Sequence, residues 1–418
     1  YVFENSTTSL AANIKNLSVL DFSQNKIIIE EGSITAETDL NKIKIPEIKF
    51  LSNDISWEGT AEVSELKNYP TLTYSLSSSF LNASGEAKKI FETINFKSSL
   101  SKDSSRINFK GDFDLKSKIL KVSGTGKSDL KSMIGYLNLD ENSKLKDLNS
   151  GIEAERFEFQ KNFTNNKIGA GIFINLKNLS FAGHVMAENG NLDLKLENDN
   201  IIINRLYLGD GAGSIQATGN MLLDKNNNFK TDIVITNYEL KKLLKPFMAK
   251  DIGNALIYAN ASIKGALKNT DSILGMCKWE FKEGNLGRFT FLYNIASLIN
   301  RPDLKEISFN QGRGTFNLKN SALSSPESIL MSNNVNLMIA GAVNIKGALD
   351  VTVTTEFPQQ SPEQRDASSS PFGKIGDILT RGVQELFYKV RITGSIKNPK
   401  YTLIPASVDR VLQNLFTR

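Results

Sequence analysis

The stretch NVNLMIAGAVNIKGALDVTVTTEF, residues 334–357, keeps its large apolar side chains in one phase over its whole length. They stand at odd-numbered positions, with Met338 as the single large apolar residue at an even position. The odd-numbered set is Val335, Leu337, Ile339, Val343, Ile345, Leu349, Val351, Val353 and Phe357. Because alternate side chains of a β-strand point to opposite faces, this stretch has one apolar face and one polar face.

The same phase predicts where the stretch turns. A two-residue hairpin loop would move the apolar side chains to the other parity, whereas a three-residue loop keeps it. The unbroken odd phase therefore predicts a loop at residues 346–348, with Ile345 opposite Leu349. Gly347 then belongs to the turn, while Gly341 lies inside the first strand, where we expect it to bend the backbone.

Strands of this kind recur along the chain, each with a glycine on its apolar face. The segments are ISWEGTAEV (55–63), INFKGDFDL (107–115), IQATGNMLL (215–223), NASIKGAL (260–267), LMIAGAVNI (337–345) and VRITGSI (390–396). The glycines are Gly59, Gly111, Gly219, Gly265, Gly341 and Gly394. A glycine there removes a side chain where a concave sheet is most crowded, and it permits a bulge or bend. The pattern predicts a strongly coiled sheet with an apolar concave side, and chance glycines in ordinary sandwich strands are the alternative.

The apolar positions of these strands and their neighbours are the candidate lining of the concave side. They are Val335, Leu337, Ile339, Val343, Ile345, Leu349, Val351, Val353, Ile215, Met221, Leu223, Ile233, Ile235, Phe109, Phe113, Leu115, Ile392 and Ile396. Acyl chains that enter such a trough leave water, and each buried methylene contributes on the order of 0.8 kcal/mol. The side chains therefore suit a lipid ligand, although the same residues can fill a closed core.

Short amphipathic helices are predicted between and after the strands. Apolar residues at helical spacing occur in EAKKIFETI (86–94), DLKSMIGYL (129–137), ELKKLLKPF (239–247), LYNIASLI (292–299) and SVDRVLQNLF (407–416). The Pro-, Ser- and Gln-rich residues 358–371 are typical of an exposed loop. Residues 372–387 then predict a helix, followed by a strand pair that turns at Asn398-Pro399.

Charge and residue counts argue against several classes of function. The net charge of +5 is small for 418 residues, and the basic residues are scattered, so a nucleic-acid partner is not expected. One cysteine, Cys277, and one histidine, His184, cannot build a multi-cysteine metal site or a nucleophile–base pair. The glycine-rich GDGAGS (209–214) precedes an alternating strand rather than a helix, which favours a hairpin turn over a phosphate loop. We predict no catalytic residues, no metal, no cofactor and no enzymatic activity.

Several segments resemble the carboxy-terminal region of the AsmA-like family of bacterial envelope proteins. The resemblance runs through residues 244–299 (LKPFMAKDIG to LYNIASLI), ISFNQGRGTFNLKNSAL (307–323), residues 337–357 and VRITGSIKNPKYTL (390–403). It covers about residues 170 to 418, and Glu283 stands where the family usually has aspartate. We divide the chain accordingly into N-terminal β repeats (1–169), an AsmA-like β region (170–357), a loop (358–371) and a closing helix, strand pair and helix (372–418).

The resemblance implies a mainly β fold, an elongated and strongly coiled antiparallel sheet that forms a taco-like groove, with short amphipathic helices at its margins and C-terminus. It also implies residence in the periplasm, with an N-terminal inner-membrane helix that this fragment lacks. Phospholipid acyl chains, the envelope membranes and other envelope proteins are the implied partners, and phospholipid transport between the two membranes is the implied role. The alternative is a scaffold for outer-membrane assembly with a closed β core and no bound lipid, because 24 phenylalanines could fill such a core unaided.

Overall fold

The structure is a computed structural model. It describes residues 8–20, 26–38, 41–52, 55–67, 69–79, 81–88, 93–131, 144–211, 213–245, 253–283, 290–301, 307–357 and 387–404. Of the predicted helices, those at 129–137, 372–387 and 407–416 lie wholly or mostly outside these residues. None of the helices in the described segments has the length and apolar composition required to cross a membrane.

The protein is mainly β, and the 23 strands of its described residues belong to one antiparallel sheet. The strands are β1 (Thr8–Leu20), β2 (Lys26–Thr38), β3 (Lys42–Ser52), β4 (Ile55–Ser64), β5 (Thr71–Ser78), β6 (Asn82–Lys88), β7 (Thr93–Lys102), β8 (Ser105–Asp114), β9 (Ile119–Asp129), β10 (Leu148–Asn162), β11 (Ile168–Phe181), β12 (His184–Glu197), β13 (Asn200–Asp210), β14 (Gly213–Leu222), β15 (Asn228–Glu239), β16 (Leu256–Ala266), β17 (Asn269–Glu283), β18 (Gln311–Lys319), β19 (Ala322–Met331), β20 (Asn336–Asn344), β21 (Ala348–Glu356), β22 (Phe387–Ser395) and β23 (Asn398–Ile404). Two short α-helices, α1 (Leu240–Leu244) and α2 (Thr290–Leu298), and a 3-10 turn at Lys144–Asp147 complete the described elements.

Strands that follow one another in sequence pair in two runs. Antiparallel ladders join β1 through β10 in order, and the same holds from β14 through β23. Among the described residues no ladder joins β1 to β23. Alternating sequences connected by short turns favour this meander, because antiparallel neighbours need only a tight turn between them.

The chain divides into two compact units. Unit 1 comprises Tyr1–Ser180 and Asn189–Asn204, and unit 2 comprises Phe181–Glu188 and Arg205–Arg418. Unit 2 has a hydrophobic core of 13 buried side chains, in which Ile295, Ala296 and Ile299 of the α2 segment pack against the sheet. In unit 1, by contrast, the residues whose burial is described include only four buried apolar side chains, which are Pro70, Ala87, Ile152 and Leu176.

The hairpin predicted from residues 334–357 is present, but its loop lies one residue earlier than predicted. Val343, rather than Ile345, pairs with Leu349, and the loop consists of residues 345–347. The left-handed position of a three-residue loop is its last residue, and Gly347 takes that position with φ of +85°. Ile345 therefore lies in the turn, where it is 68% exposed.

Two further predictions are wrong. Residues 86–94 were predicted as a helix, but Ala87 belongs to β6 and Ile94 to β7. Their apolar spacing also fits two strands, and the alternation of Phe96, Ser98 and Leu100 downstream decides in favour of β-structure. The final turn lies at residues 396–397, two residues before Asn398-Pro399, because Ser395 pairs with Asn398. The helices predicted at 239–247 and 292–299 are confirmed in part as α1 and α2.

Candidate functional site

The register of unit 2 brings apolar residues together on one face of the sheet, which we call the unit 2 apolar face. Residues that pair directly share a face, so each row of partners can be followed from strand to strand. One row across β14 to β23 reads Ile215, Ile235, Ala259, Trp279, Gly314, Ser328, Ile339, Val353, Val390 and Leu403. A second reads Gly219, Thr231, Ile263, Gly275, Leu318, Leu323, Val343, Leu349, Gly394 and Pro399. The opposite face carries mostly charged and polar side chains.

Unit 1 has an apolar face of the same kind, the unit 1 apolar face. Its clearest row, across β2 to β10, reads Ile34, Ile48, Gly59, Leu76, Ala83, Leu100, Ile107, Gly126 and Ala154. The polar face of the same strands carries rows such as Glu86, Lys97, Lys110, Ser123 and Glu158. Most side chains on the apolar row are half-buried.

Burial on the unit 2 apolar face falls off along each strand. We call the edge where the chain passes through α1 and α2 the helix edge, and the edge of the short turns at 223–227, 267–268, 320–321, 345–347 and 396–397 the turn edge. Along β20, Leu337 at the helix edge is fully buried, whereas Val343 near the turn edge is half-buried. Along β22, Val390 is fully buried, and Ile396 in the turn is 62% exposed. The core around α2 thus covers the helix edge and leaves the rest of the face accessible.

Glycines on both apolar faces accommodate aromatic rings from the neighbouring strand. A Cβ at Gly111 would lie 2.5 Å from Phe96 Cζ, and one at Gly124 would lie 2.6 Å from Phe157 Cζ. Gly312 is related in the same way to Phe281. In each pair the aromatic residue and the glycine are direct partners on neighbouring strands. The ring lies over its partner glycine, flat along the sheet. From the sequence, Gly111 was assigned to curvature alone and Gly124 and Gly312 were not singled out, although the register of glycine against aromatic could have indicated all three.

The predicted inward glycines lie on the apolar faces, and most are tightly surrounded. A Cβ at Gly59, Gly111, Gly219 or Gly341 would lie within 2.5 Å of a backbone oxygen of the next strand. Gly265 meets Ile273 Cα at 2.8 Å. Gly341 has φ of +146° and lies beside the irregularity at residues 325–328 of β19, which places a bend at that point. Gly394, at φ of +90°, precedes the last turn.

The predicted lining residues fall into three groups. Half-buried positions on the apolar faces are held by Ile339, Val343, Leu349, Val351, Ile215, Met221, Ile233, Ile235, Phe109 and Phe113. The core around α2 buries Val335, Leu337, Val353 and Ile392, which are therefore not available to a ligand. Turns or strand ends hold Leu115, Leu223, Ile345 and Ile396, which are exposed. These last four residues continue the alternation of the preceding strands in sequence. The sequence period alone therefore did not show that they lie in loops or at strand ends.

Each apolar face contains one tryptophan. Trp57 of β4 stacks on Phe50 of unit 1, with ring centroids 5.9 Å apart. Trp279 of β17 stacks between Phe281 and Phe316 of unit 2, at 6.3 Å and 5.8 Å. The Trp279 Nε1 donor is buried and has no hydrogen-bond partner among the described residues. The two indoles give each unit its own spectroscopic probe, because the sequence holds no other tryptophan.

Tyr238 lies at the helix edge of the unit 2 apolar face, near the end of β15. Its side chain is fully buried, and its hydroxyl donates a hydrogen bond to the backbone carbonyl of Met186. Burial, and then the negative charges of Asp210 and Glu239, raise the pKa of Tyr238 to about 12. Because burial disfavours the phenolate, the neutral form is the one that the folded state stabilises.

This tyrosine makes unit 2 sensitive to alkaline pH. A pKa raised from 10.0 to about 12 gives stability that is complete below pH 10 and is lost as the pH rises toward 12. We expect the urea midpoint of unit 2 to fall over this interval by more in the wild type than in Tyr238→Phe. Absorbance titration of tyrosinate should show one fewer late-ionising tyrosine in the variant. Identical alkaline profiles for the two proteins would contradict the assignment.

The single cysteine and the single histidine of the sequence both lie in strands of the sheet. Cys277 lies half-buried on the unit 2 apolar face, and burial raises the pKa of its thiol. His184 begins β12 and is half-buried. Within the residues that the structure describes, no group of three or more His, Cys, Asp or Glu side chains is placed to hold a metal ion.

A cavity of about 850 Å³ lies in unit 1 on the polar side of the sheet. Its lining combines charges of both signs, including Lys97, Lys110, Arg156, Asp112 and Glu158. Lys97 and Lys110 pair directly across β7 and β8, where like charges repel. Because so many charged side chains line it, this cavity does not suit an acyl chain.

No known protein family, curated protein or solved structure matches the chain. The candidate site is therefore defined by the geometry of the two apolar faces.

Proposed function

We propose that this chain is a non-enzymatic lipid-binding protein whose apolar sheet faces hold phospholipid acyl chains. In line with the resemblance to the AsmA-like family, its proposed setting is the bacterial periplasm, where it would help move phospholipid between the inner and outer membranes. Its proposed partners are phospholipids and the envelope membranes, and no enzyme chemistry or cofactor enters the proposal.

The observation that carries the proposal is the incomplete burial of a continuous apolar surface. In unit 2 the row from Gly219 to Pro399 crosses ten strands, and none of its members is buried, although Leu349 packs against the core around α2. Soluble monomers rarely leave contiguous apolar patches larger than a few hundred Å² without a binding partner. An acyl chain suits such a surface because it needs apolar area but no fixed polar contacts.

The alternative function, a scaffold with a closed core, is favoured by one region only. Around α2, side chains such as Ile295 and Phe309 are fully buried and leave no room for a ligand. The residues of unit 1 whose burial is described include four buried apolar side chains, against the 13 that form the core of unit 2. We therefore assign the core around α2 a structural role and the remaining apolar surface a binding role.

The direct test is to identify lipid in the purified chain. The protein is extracted with organic solvent, and the extract is examined for phospholipid by mass spectrometry. We expect phospholipids of mixed chain length, because an open apolar surface does not measure acyl length. A delipidated protein that contains no lipid and also fails to bind a fluorescent fatty acid would rule the proposal out.

The two tryptophans allow the binding unit to be identified. Trp57→Phe leaves Trp279 as the only indole, and Trp279→Phe leaves Trp57. Phospholipid brominated on its acyl chains quenches an indole only at close contact, so we expect quenching in both single-tryptophan proteins. Brominated headgroup analogues without acyl chains serve as the control and should quench neither. Absence of acyl quenching in both variants would contradict binding on the apolar faces.

A further inference from the structure

The turn edge of unit 2 repeats one short pattern. Four of its loops contain an exposed aliphatic residue followed by a lysine within two positions: Leu223 and Lys225, Leu267 and Lys268, Ile345 and Lys346, and Ile396 and Lys397. The aliphatic side chains are 45%, 52%, 68% and 62% exposed, respectively. Hairpin loops usually carry polar, turn-forming residues, so large aliphatic side chains at four tips of one edge call for a function.

Hydrogen bonds between successive loops hold these tips in one row. Leu267 N donates to Asn227 O at 3.2 Å, and Ile396 N donates to Gly347 O at 2.9 Å. Ile345 N donates to Ser321 O at 2.8 Å, and the Ser321 hydroxyl bonds to Asp271 next to the loop at 267–268. Since each hairpin advances by two strands, successive loops are spaced by roughly 10 Å, and the loop at 320–321, which has no aliphatic residue, leaves roughly 20 Å between the tips of Leu267 and Ile345. The four aliphatic residues therefore form one ordered apolar strip, which we call the tip strip.

The charges beside the tip strip are predominantly positive. Lys225, Lys268, Lys346 and Lys397 are all exposed, and none forms a salt bridge within the described part of the chain. The nearby carboxylate of Asp224 accepts hydrogen bonds from the backbone of its own loop, at Asn226 and Asn228. Apolar side chains interleaved with free lysines match the acyl boundary and the anionic headgroups of a bilayer surface.

We propose that the tip strip docks unit 2 on an anionic lipid bilayer, with the aliphatic tips entering the headgroup region and the lysines contacting the phosphates. The strip is continuous with the accessible part of the unit 2 apolar face, because exposure on that face increases toward the same edge. Docking there would place the membrane next to the open part of the face. Docking itself needs no acyl binding, whereas the transfer of lipid at this edge rests on the proposed function.

The test is co-sedimentation of the full chain with vesicles. Vesicles of phosphatidylcholine alone are compared with vesicles of an equal mixture of phosphatidylcholine and phosphatidylglycerol. We expect binding to the anionic vesicles that weakens as salt is added, because the lysine contacts are screened. Lys346→Gln with Lys397→Gln should lower the affinity by roughly twenty-five-fold, at about fivefold for each lysine. Ile345→Ser with Ile396→Ser should lower it by at least about tenfold.

Matched controls carry the same changes away from the strip. Lys264→Gln with Lys278→Gln removes two exposed lysines from the polar face, and Val234→Ser with Met276→Ser removes two exposed apolar side chains from it. Both control proteins should bind anionic vesicles like the wild type. Equal losses in control and tip variants would mean that overall charge or hydrophobicity is responsible, and the proposal would be wrong.

A second readout does not depend on affinity. In a Cys277→Ser background, an environment-sensitive fluorophore is attached at Ile345→Cys or, as a control, at Lys264→Cys. We expect a blue shift on anionic vesicles for the tip label only. If the wild type ignores both kinds of vesicle, the tip strip does not bind membranes, and an acidic protein surface becomes the alternative occupant.

The two proposals fail separately. Tip variants should keep their affinity for a fluorescent fatty acid in vesicle-free solution, because the half-buried apolar face is unchanged. A wild type that binds anionic vesicles through the tips but takes up no fatty acid would keep the docking proposal and reject lipid holding.

Discussion

Replacing Ile233 by aspartate is expected to lower the affinity of unit 2 for an acyl chain by about a hundredfold, while leaving unit 2 folded. Ile233 pairs with Ala217 on one side and Ala261 on the other, so its side chain stands among small neighbours on the unit 2 apolar face. A carboxylate in an acyl environment costs about 2.5–3.5 kcal/mol, which corresponds to that loss. Fluorescent fatty-acid titration of the Trp57→Phe background would measure it.

The matched control is the adjacent residue of the same strand. Val234 is 43% exposed and pairs with Gln216 and Asn260 on the polar face. Val234→Asp introduces the same charge into β15 but should leave fatty-acid affinity unchanged. Circular dichroism and urea unfolding of both variants separate a binding defect from a folding defect. If Ile233→Asp unfolds unit 2 and the neutral Ile233→Asn does so too, Ile233 belongs to a closed core, and the binding assignment for this face is wrong.

Gly341→Ala is expected to destabilise unit 2 by about 3 kcal/mol or more. Its φ of +146° lies in a region that L-residues rarely adopt, and such backbone strain costs about 1–3 kcal/mol. In addition, an added Cβ would lie 2.3 Å from Asp350 O and 2.5 Å from Val351 Cα, so the β20–β21 ladder would have to separate locally. Urea unfolding followed by Trp279 fluorescence gives the change in unfolding free energy.

Gly275→Ala provides the control on the same face. A Cβ at Gly275 meets Leu318 Cβ at 3.4 Å and Ile263 Cγ1 at 3.5 Å, which are ordinary contacts. This variant should be neutral, or more stable by about 0.4–1 kcal/mol through the loss of backbone freedom in the unfolded chain. Similar destabilisation in both variants would show that any side chain on this face disrupts the sheet, and the special role of Gly341 would have to be abandoned.

The sequence was sufficient to predict the antiparallel β architecture and the apolar face. Period-two alternation at residues such as Leu337, Ile339 and Val343 depends only on strand geometry, and no other element satisfies it over that length. The sequence could not show whether that face is open or covered, because half-buried and fully buried apolar residues alternate along a strand in the same way. Leu337 is buried in a core that includes side chains of the α2 segment, about 40 residues earlier in the chain.

Turn positions were harder to predict than faces. The three-residue loop at Gly347 follows from parity, but its one-residue offset depends on which loop position adopts positive φ. The tip strip escaped prediction for a related reason. Ile345 and Ile396 continue the alternation of their strands in sequence, and only the register shows that they lie past the last paired residues.

Consecutive pairing from β14 to β23 has a consequence for how such a chain can fold and change in length. Every ladder closes within a short span of sequence, so hairpins can form one after another as the polypeptide emerges, without waiting for a distant partner. Adding or deleting one hairpin would shift the rows by two strands and leave both faces and the order of the neighbours intact. Gene duplication of a single hairpin would thus lengthen the apolar surface by roughly 10 Å at a time.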